Sequence, residues 1–101
     1  MIHISVDNDV VRISGHAGAA PRGQSLPCEA VTVLTNTVIA SILELTGDEP
    51  VYILEPGNME LNRKDLSDSA KLLVKSFLVG LHMVAEAYPE YISIQDISTI
   101  A

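Results

Sequence analysis

The sequence predicts an α+β fold, a ββαββαβ two-layer sandwich with two helices packed on a mostly antiparallel sheet. Three observations carry that prediction. Two long stretches, 26–46 and 68–88, repeat apolar residues at spacings of three and four. Short β-rich runs lie before, between and after them, several alternating with period two. Clusters of Gly, Pro, Asn and Asp separate the runs at turn positions. With 101 residues, 48% of them hydrophobic, the chain reads as a single domain over 1–101 that buries a core without covalent staples.

In chain order, Ile2, Ile4 and Val6 alternate with His3 and Ser5, the pattern of a half-buried strand. His3 falls on its polar face. Asp7-Asn8-Asp9 is a turn cluster, and Val10 to Ser14 is a second β-rich run, so a hairpin is expected. That run ends at Ser14-Gly15 and delivers His16 at a strand terminus. Gly18, Ala19, Ala20, Pro21 and Gly23 follow, with Arg22 as the segment's only charge. Side chains this small bury little, and the segment reads either as a lid or as a plain connector.

The first helix is expected over Leu26 to Thr46. Val31, Leu34, Val38, Ile42 and Leu45 form its stripe, broadened by Ala30, Ile39 and Leu43, with Thr32, Thr35, Asn36 and Thr37 as the polar remainder. So apolar a helix is expected to be buried on two sides. Gly47 is expected to close it in the left-handed conformation, and Pro50 blocks continuation. Val51 to Glu55 is a third strand, Pro56-Gly57 signals a type II turn, and Met59 and Leu61 alternate on a weaker fourth strand. Ser67 and Asp68 read as the cap and first turn of the second helix, which runs to about Tyr88 before Pro89. Its apolar stripe is Ala70, Leu73, Phe77, Leu81, Val84 and Tyr88, and Lys71, Lys75, His82 and Glu86 mark the solvent face. Tyr91 to Gln95 is a last strand, and 96–101 are expected to fray.

Composition excludes several functions. The net charge is −7 with six Lys and Arg, clustered nowhere beyond Arg63-Lys64, which argues against direct nucleic-acid binding. An acidic surface suits a basic protein partner. A single cysteine allows no intramolecular disulfide, and Met1-Ile2-His3-Ile4 has no signal-peptide pattern, so a cytoplasmic location is expected. No uninterrupted apolar run approaches the roughly 20 residues of a membrane span. One Cys and one nearby His fall short of the three or four ligands of zinc, so neither metal nor other cofactor is expected.

The chemistry gathers between Gly15 and Thr32, GHAGAAPRGQSLPCEAVT. A thiol is a weak nucleophile until something favours its thiolate, and two devices do so: a histidine within hydrogen-bond reach, and a helix N-terminus. Ser25 as N-cap and Pro27 in the first turn put Cys28 at a helix start, with His16 upstream as candidate base. The bland alternative is an inert cysteine packed as a small hydrophobe.

The frame G-H-A, a short flexible segment, then G-Q-S-L-P-C at a helix start resembles the ribosomal-processing cysteine proteases. These are small bacterial endopeptidases that remove an N-terminal extension from ribosomal protein L27. The resemblance implies a catalytic pair of His16, as general base and acid, and Cys28, as nucleophile, flanked by Gly15 and Gly23. Thr32 would be the family's hydroxyl residue one helical turn after the cysteine. It also implies the sandwich fold, a homodimer, and a substrate with aromatic residues before the cleaved bond on an extended N-terminal peptide. The chain departs from the family where the aspartate three residues before the cysteine becomes Ser25, the preceding valine becomes Pro27, and the following alanine becomes Glu29. Ser25 still caps a helix but holds no charge against an imidazolium, and Glu29 sets a negative charge beside the thiol. Those departures leave open a divergent or phage-encoded homologue acting on a capsid or scaffold protein. A non-catalytic dimeric interaction module on the same fold stays open as well.

Overall fold

A computed structural model describes residues 1–15 and 26–98. Its elements follow the expected order: β1 (Ile2–Val6), β2 (Val10–Gly15), α1 (Leu26–Leu45), β3 (Tyr52–Glu55), β4 (Asn58–Asn62), α2 (Asp68–Ala87) and β5 (Ile92–Asp96). The strands form one sheet in the order β3-β4-β2-β1-β5. Only the β1–β5 pairing is parallel, with Ile2 opposite Ile92 and Val6 opposite Asp96. β1–β2, β2–β4 and β3–β4 are antiparallel.

Period-two patterning fixes which way the sheet faces, because shifting a strand by one residue would exchange its two faces. Ile2, Ile4, Val6, Val11, Ile13, Met59, Leu61 and Ile92 are buried. His3, Ser5, Arg12, Ser14 and Ser93 on the opposite face are exposed. On that outer face Arg12 Nε meets its cross-strand partner Glu60 at 3.3 Å. Both helices therefore lie on one side of the sheet. Val31, Val38, Ile39 and Ile42 of α1 and Val74, Phe77, Leu78 and Leu81 of α2 complete the core.

The β1–β2 turn is held by Asp7, whose Oδ1 accepts from the N–H groups of Asp9 and Val10, both at 2.7 Å. The bonds from Val10 and Asp9 keep the Asp7 carboxyl below its ordinary range. At the start of α2, Ser67 Oγ accepts from the Ala70 N–H at 3.2 Å, the expected cap. Gly57 has φ +73°, the value demanded at the second central position of a type II turn.

Several expectations need correction. β4 is not a weak strand: it is flanked on both sides, and Leu61 is fully buried. α1 buries one face, not two: the side with Val31, Val38 and Ile42 packs in the core, while Val33, Leu43 and the terminal Leu45 are exposed. Thr35, counted with the polar remainder, is buried; its hydroxyl donates to the Val31 carbonyl at 2.8 Å, which makes its burial inexpensive. Gly47 is not left-handed. Thr46 ends α1 instead: its N–H and hydroxyl both donate to the Ile42 carbonyl, and its Oγ1 accepts from the Asp48 N–H at 3.1 Å.

Residues 96–98 do not fray. Ile97 N–H donates to the Val6 carbonyl at 2.9 Å, and Asp96 is held by Ser98 and by His82 Nε2 at 2.9 Å. His82 is solvent-exposed as expected, but it ties α2 to the end of β5. Residues 99–101 lie outside those described. By length and composition the 20-residue α1 could cross a membrane, with a mean hydropathy of 1.5 over an 18-residue window. Its Val31, Val38 and Ile42 are nonetheless packed in the core.

Candidate active site

A helix start and a strand end come together at Cys28. It is the third residue of α1, within the first turn, where N–H groups have no intrahelical acceptor. Pro27, buried beside it, gives up an N–H that such a turn would not have used. Cys28 is half-buried and packed against the core. Thr32, one turn later, donates its hydroxyl to the Cys28 carbonyl at 2.8 Å, which fixes the Thr32 rotamer against the helix.

Cys28 lines a groove of about 630 Å³ between α1 and the β3–β4 hairpin, a volume within the range of ligand-binding clefts. Its floor is apolar, built from Ile2, Ile13, Val31 and Met59. One wall is the outer side of α1, with Glu29, Thr32 and Asn36; the other is the hairpin, with Leu54, Glu55, Pro56, Gly57 and Asn58. Among the described lining residues the only charges are Glu29 and Glu55, both exposed, so the mouth is negative.

Gly15 closes the end of this groove, and its backbone explains why no other residue fits there. Its φ is +93°, and a Cβ would overlap the Met1 carbonyl. Its N–H donates to the Gly57 carbonyl at 3.0 Å, joining the end of β2 to the β3–β4 turn. The chain is thereby fixed at the residue just before His16.

Of the residues singled out from the sequence, Gly15, Cys28, Glu29 and Thr32 all line this one groove. His16, Gly23 and Ser25, and with them the helix cap and the lid, lie outside the described residues. The hairpin wall was missed. Leu54, Gly57 and Asn58 bear no catalytic signature, and only the Pro-Gly turn marks their position in the sequence.

Solved structures with this fold are similar over almost their whole length. The ribosomal processing protease Prp of S. aureus, solved with a covalently linked product peptide, has a TM-score of 0.81 at 22% identity over 94% of this chain and 96% of that one. The same S. aureus protease in complex with a substrate peptide has a TM-score of 0.78 at 22% identity, with 94% and 96% covered. A Streptococcus mutans protein has a TM-score of 0.83 at 22% identity, covering 98% of this chain and 96% of its own. At such identities these are likenesses of fold. No curated protein matches the chain. The family model described as cysteine protease Prp matches residues 1–93, almost the full length, and the chain therefore belongs to the Prp family of cysteine proteases.

Proposed function

We propose that this cysteine protease removes an N-terminal extension from a basic protein of the ribosomal protein L27 kind. Cys28 attacks the scissile carbonyl; His16 takes its proton and returns it to the leaving amine. Main-chain N–H groups in the first turn of α1, at Cys28 and Glu29, stabilise the oxyanion. The observation that carries this reading is the groove itself. Cys28 and Gly15, the residue immediately before His16, both line it, with an apolar floor beside them. An extended peptide with aromatic side chains suits that floor, and a basic chain suits the Glu29 and Glu55 mouth. The S. aureus relative was solved with a substrate peptide and with a covalently linked product peptide, which supports a peptide as substrate here too. The family resemblance further supports a homodimer.

The test uses the L27 precursor with its extension intact, incubated with the purified protein and read by intact-mass spectrometry. The reading expects one new N-terminus after the aromatic residues, blocked when iodoacetamide alkylates Cys28. A precursor left whole by the untreated protein, or cleavage that survives complete alkylation, would show the proposal to be wrong.

A further inference from the structure

Among the described residues β3 is an edge strand, four residues long, with Glu55 as its one charge. Among the described residues it pairs with β4 alone. Its sequence YILE contains neither lysine nor proline, and Val51, Tyr52, Ile53 and Leu54 are all more than a third exposed. An exposed edge with three apolar residues in a row is a template for another strand.

The register identifies which main-chain groups are available. Val51 carbonyl accepts from the Asn62 N–H at 2.9 Å. In an antiparallel ladder, hydrogen-bonded pairs alternate with non-bonded ones. Ile53, opposite Glu60, and Glu55, opposite Asn58, therefore turn their N–H and C=O groups toward β4. Tyr52 and Leu54 turn theirs outward. Their side chains share the face of their cross-strand partners Leu61 and Met59, the same face as the groove. Leu54 and Glu55 line that groove with Cys28. A chain leaving the groove in extended conformation can thus run alongside the edge that, among the described residues, pairs with no other strand.

We propose that the substrate adds to β3 as a sixth strand, bonded through its backbone to the outward main-chain groups of Tyr52 and Leu54. This rests on the proposed peptidase reading and specifies how the groove holds its peptide. Backbone pairing gives affinity that is independent of sequence, and alternate side chains of the peptide enter the groove, which is the logic of recognition by strand addition. The occupant is an extended segment of a basic protein, because Glu29 lines the groove opposite the hairpin and the chain carries a net charge of −7.

The experiment is steady-state cleavage of a quenched-fluorescent dodecapeptide with two phenylalanines before the cleaved bond and lysines after it. Single backbone N-methyl groups are walked along the peptide. N-methylation at alternate positions is expected to raise KM about three- to tenfold per lost bond and leave kcat nearly unchanged, with the intervening positions silent. On the protein side, Leu54→Pro removes an outward donor at an edge position that tolerates proline, while Leu54→Ala keeps it. Leu54→Pro is expected to raise KM beyond Leu54→Ala at unchanged kcat. If Leu54→Pro does not fold, the N-methyl series decides alone. Cleavage indifferent to N-methylation overturns the strand pairing and leaves the peptidase reading intact. A Leu54→Pro variant that dissociates a dimer without changing KM also overturns it and assigns the edge to a second copy. Failure of the wild-type protein to cleave the unmethylated peptide overturns both readings.

Discussion

Replacing Gly15 with alanine tests how the groove is closed. Its backbone at φ +93° disfavours any side chain, at about 1–3 kcal/mol for a non-glycine residue held in such a region. The new Cβ would also overlap the Met1 carbonyl. That carbonyl cannot simply swing away, because the Ile2 N–H of the same peptide unit donates to the Tyr91 carbonyl at 2.8 Å and the Ile2 side chain is buried. Relieving the overlap therefore shifts either β1 or the end of β2, with a strain of about 1–3 kcal/mol typical of forced overpacking. Together the two effects amount to a loss of about 2–6 kcal/mol. For a domain of this size, a loss in that range lowers Tm by at least about 8 °C. The same shift moves the strand end that precedes His16, so kcat/KM should fall more than the rate at which iodoacetamide modifies Cys28. Urea unfolding, followed by cleavage kinetics under folding conditions, measures both. A stability loss below about 0.5 kcal/mol with full activity would refute the geometry assigned to Gly15.

Other predictions concern charge. Burial pushes the Asp96 carboxyl up, but hydrogen bonds from Ser98 and His82 outweigh it and leave it below the ordinary 3.8. Its stabilising contribution is therefore present above that pH and is lost as pH falls through the lower folded value. Chemical denaturation between pH 5 and pH 2.5 should show wild type losing more stability than Asp96→Asn, and parallel curves would contradict this. At the active site, Ser25→Asp restores the carboxylate that the family resemblance implies and should raise kcat/KM on a matched peptide by up to about tenfold. Glu29→Gln should speed iodoacetamide modification of Cys28 at fixed pH, because it removes a negative charge beside the thiol. Unchanged cleavage by the first and unchanged alkylation in the second would mark both departures from the family pattern as neutral.

Most of this architecture was legible because burial follows period. The alternation of Ile2, Ile4 and Val6 and the helical spacing of Val31, Val38 and Ile42 correctly assign the buried faces. Ser67 was legible as a cap because its side chain acts on its own backbone neighbours. What escaped depends on distant partners. Nothing local says that β5 returns to lie parallel beside β1, or that β2 separates β4 from β1. Thr35 looks polar in any scale, yet it is buried, with its hydroxyl bonded back to the Val31 carbonyl. Leu45 looks apolar, but it is the terminal residue of α1 and is exposed. Gly47 invited a left-handed cap that Thr46 makes unnecessary.

The candidate site divides the same way. Gly15, Cys28, Glu29 and Thr32 lie close together in sequence and were found from their chemistry and spacing. The hairpin wall comes from residues about thirty positions later, brought in by the pairing of β2 with β4. Its Leu54 and Asn58 have no chemical signature, so only the folded chain shows what they line.

The most direct test of the account is the cleavage rate of His16→Ala beside Cys28→Ser, measured on the L27-type precursor with thermal unfolding on the same samples. The account predicts that each variant loses at least about a thousandfold in kcat/KM, the scale on which nucleophile and base act as a unit. Unfolding should stay within roughly 2 kcal/mol of wild type. A His16→Ala protein that kept more than a tenth of wild-type activity, or a Cys28→Ser protein that still cleaved, would contradict the Cys28–His16 mechanism.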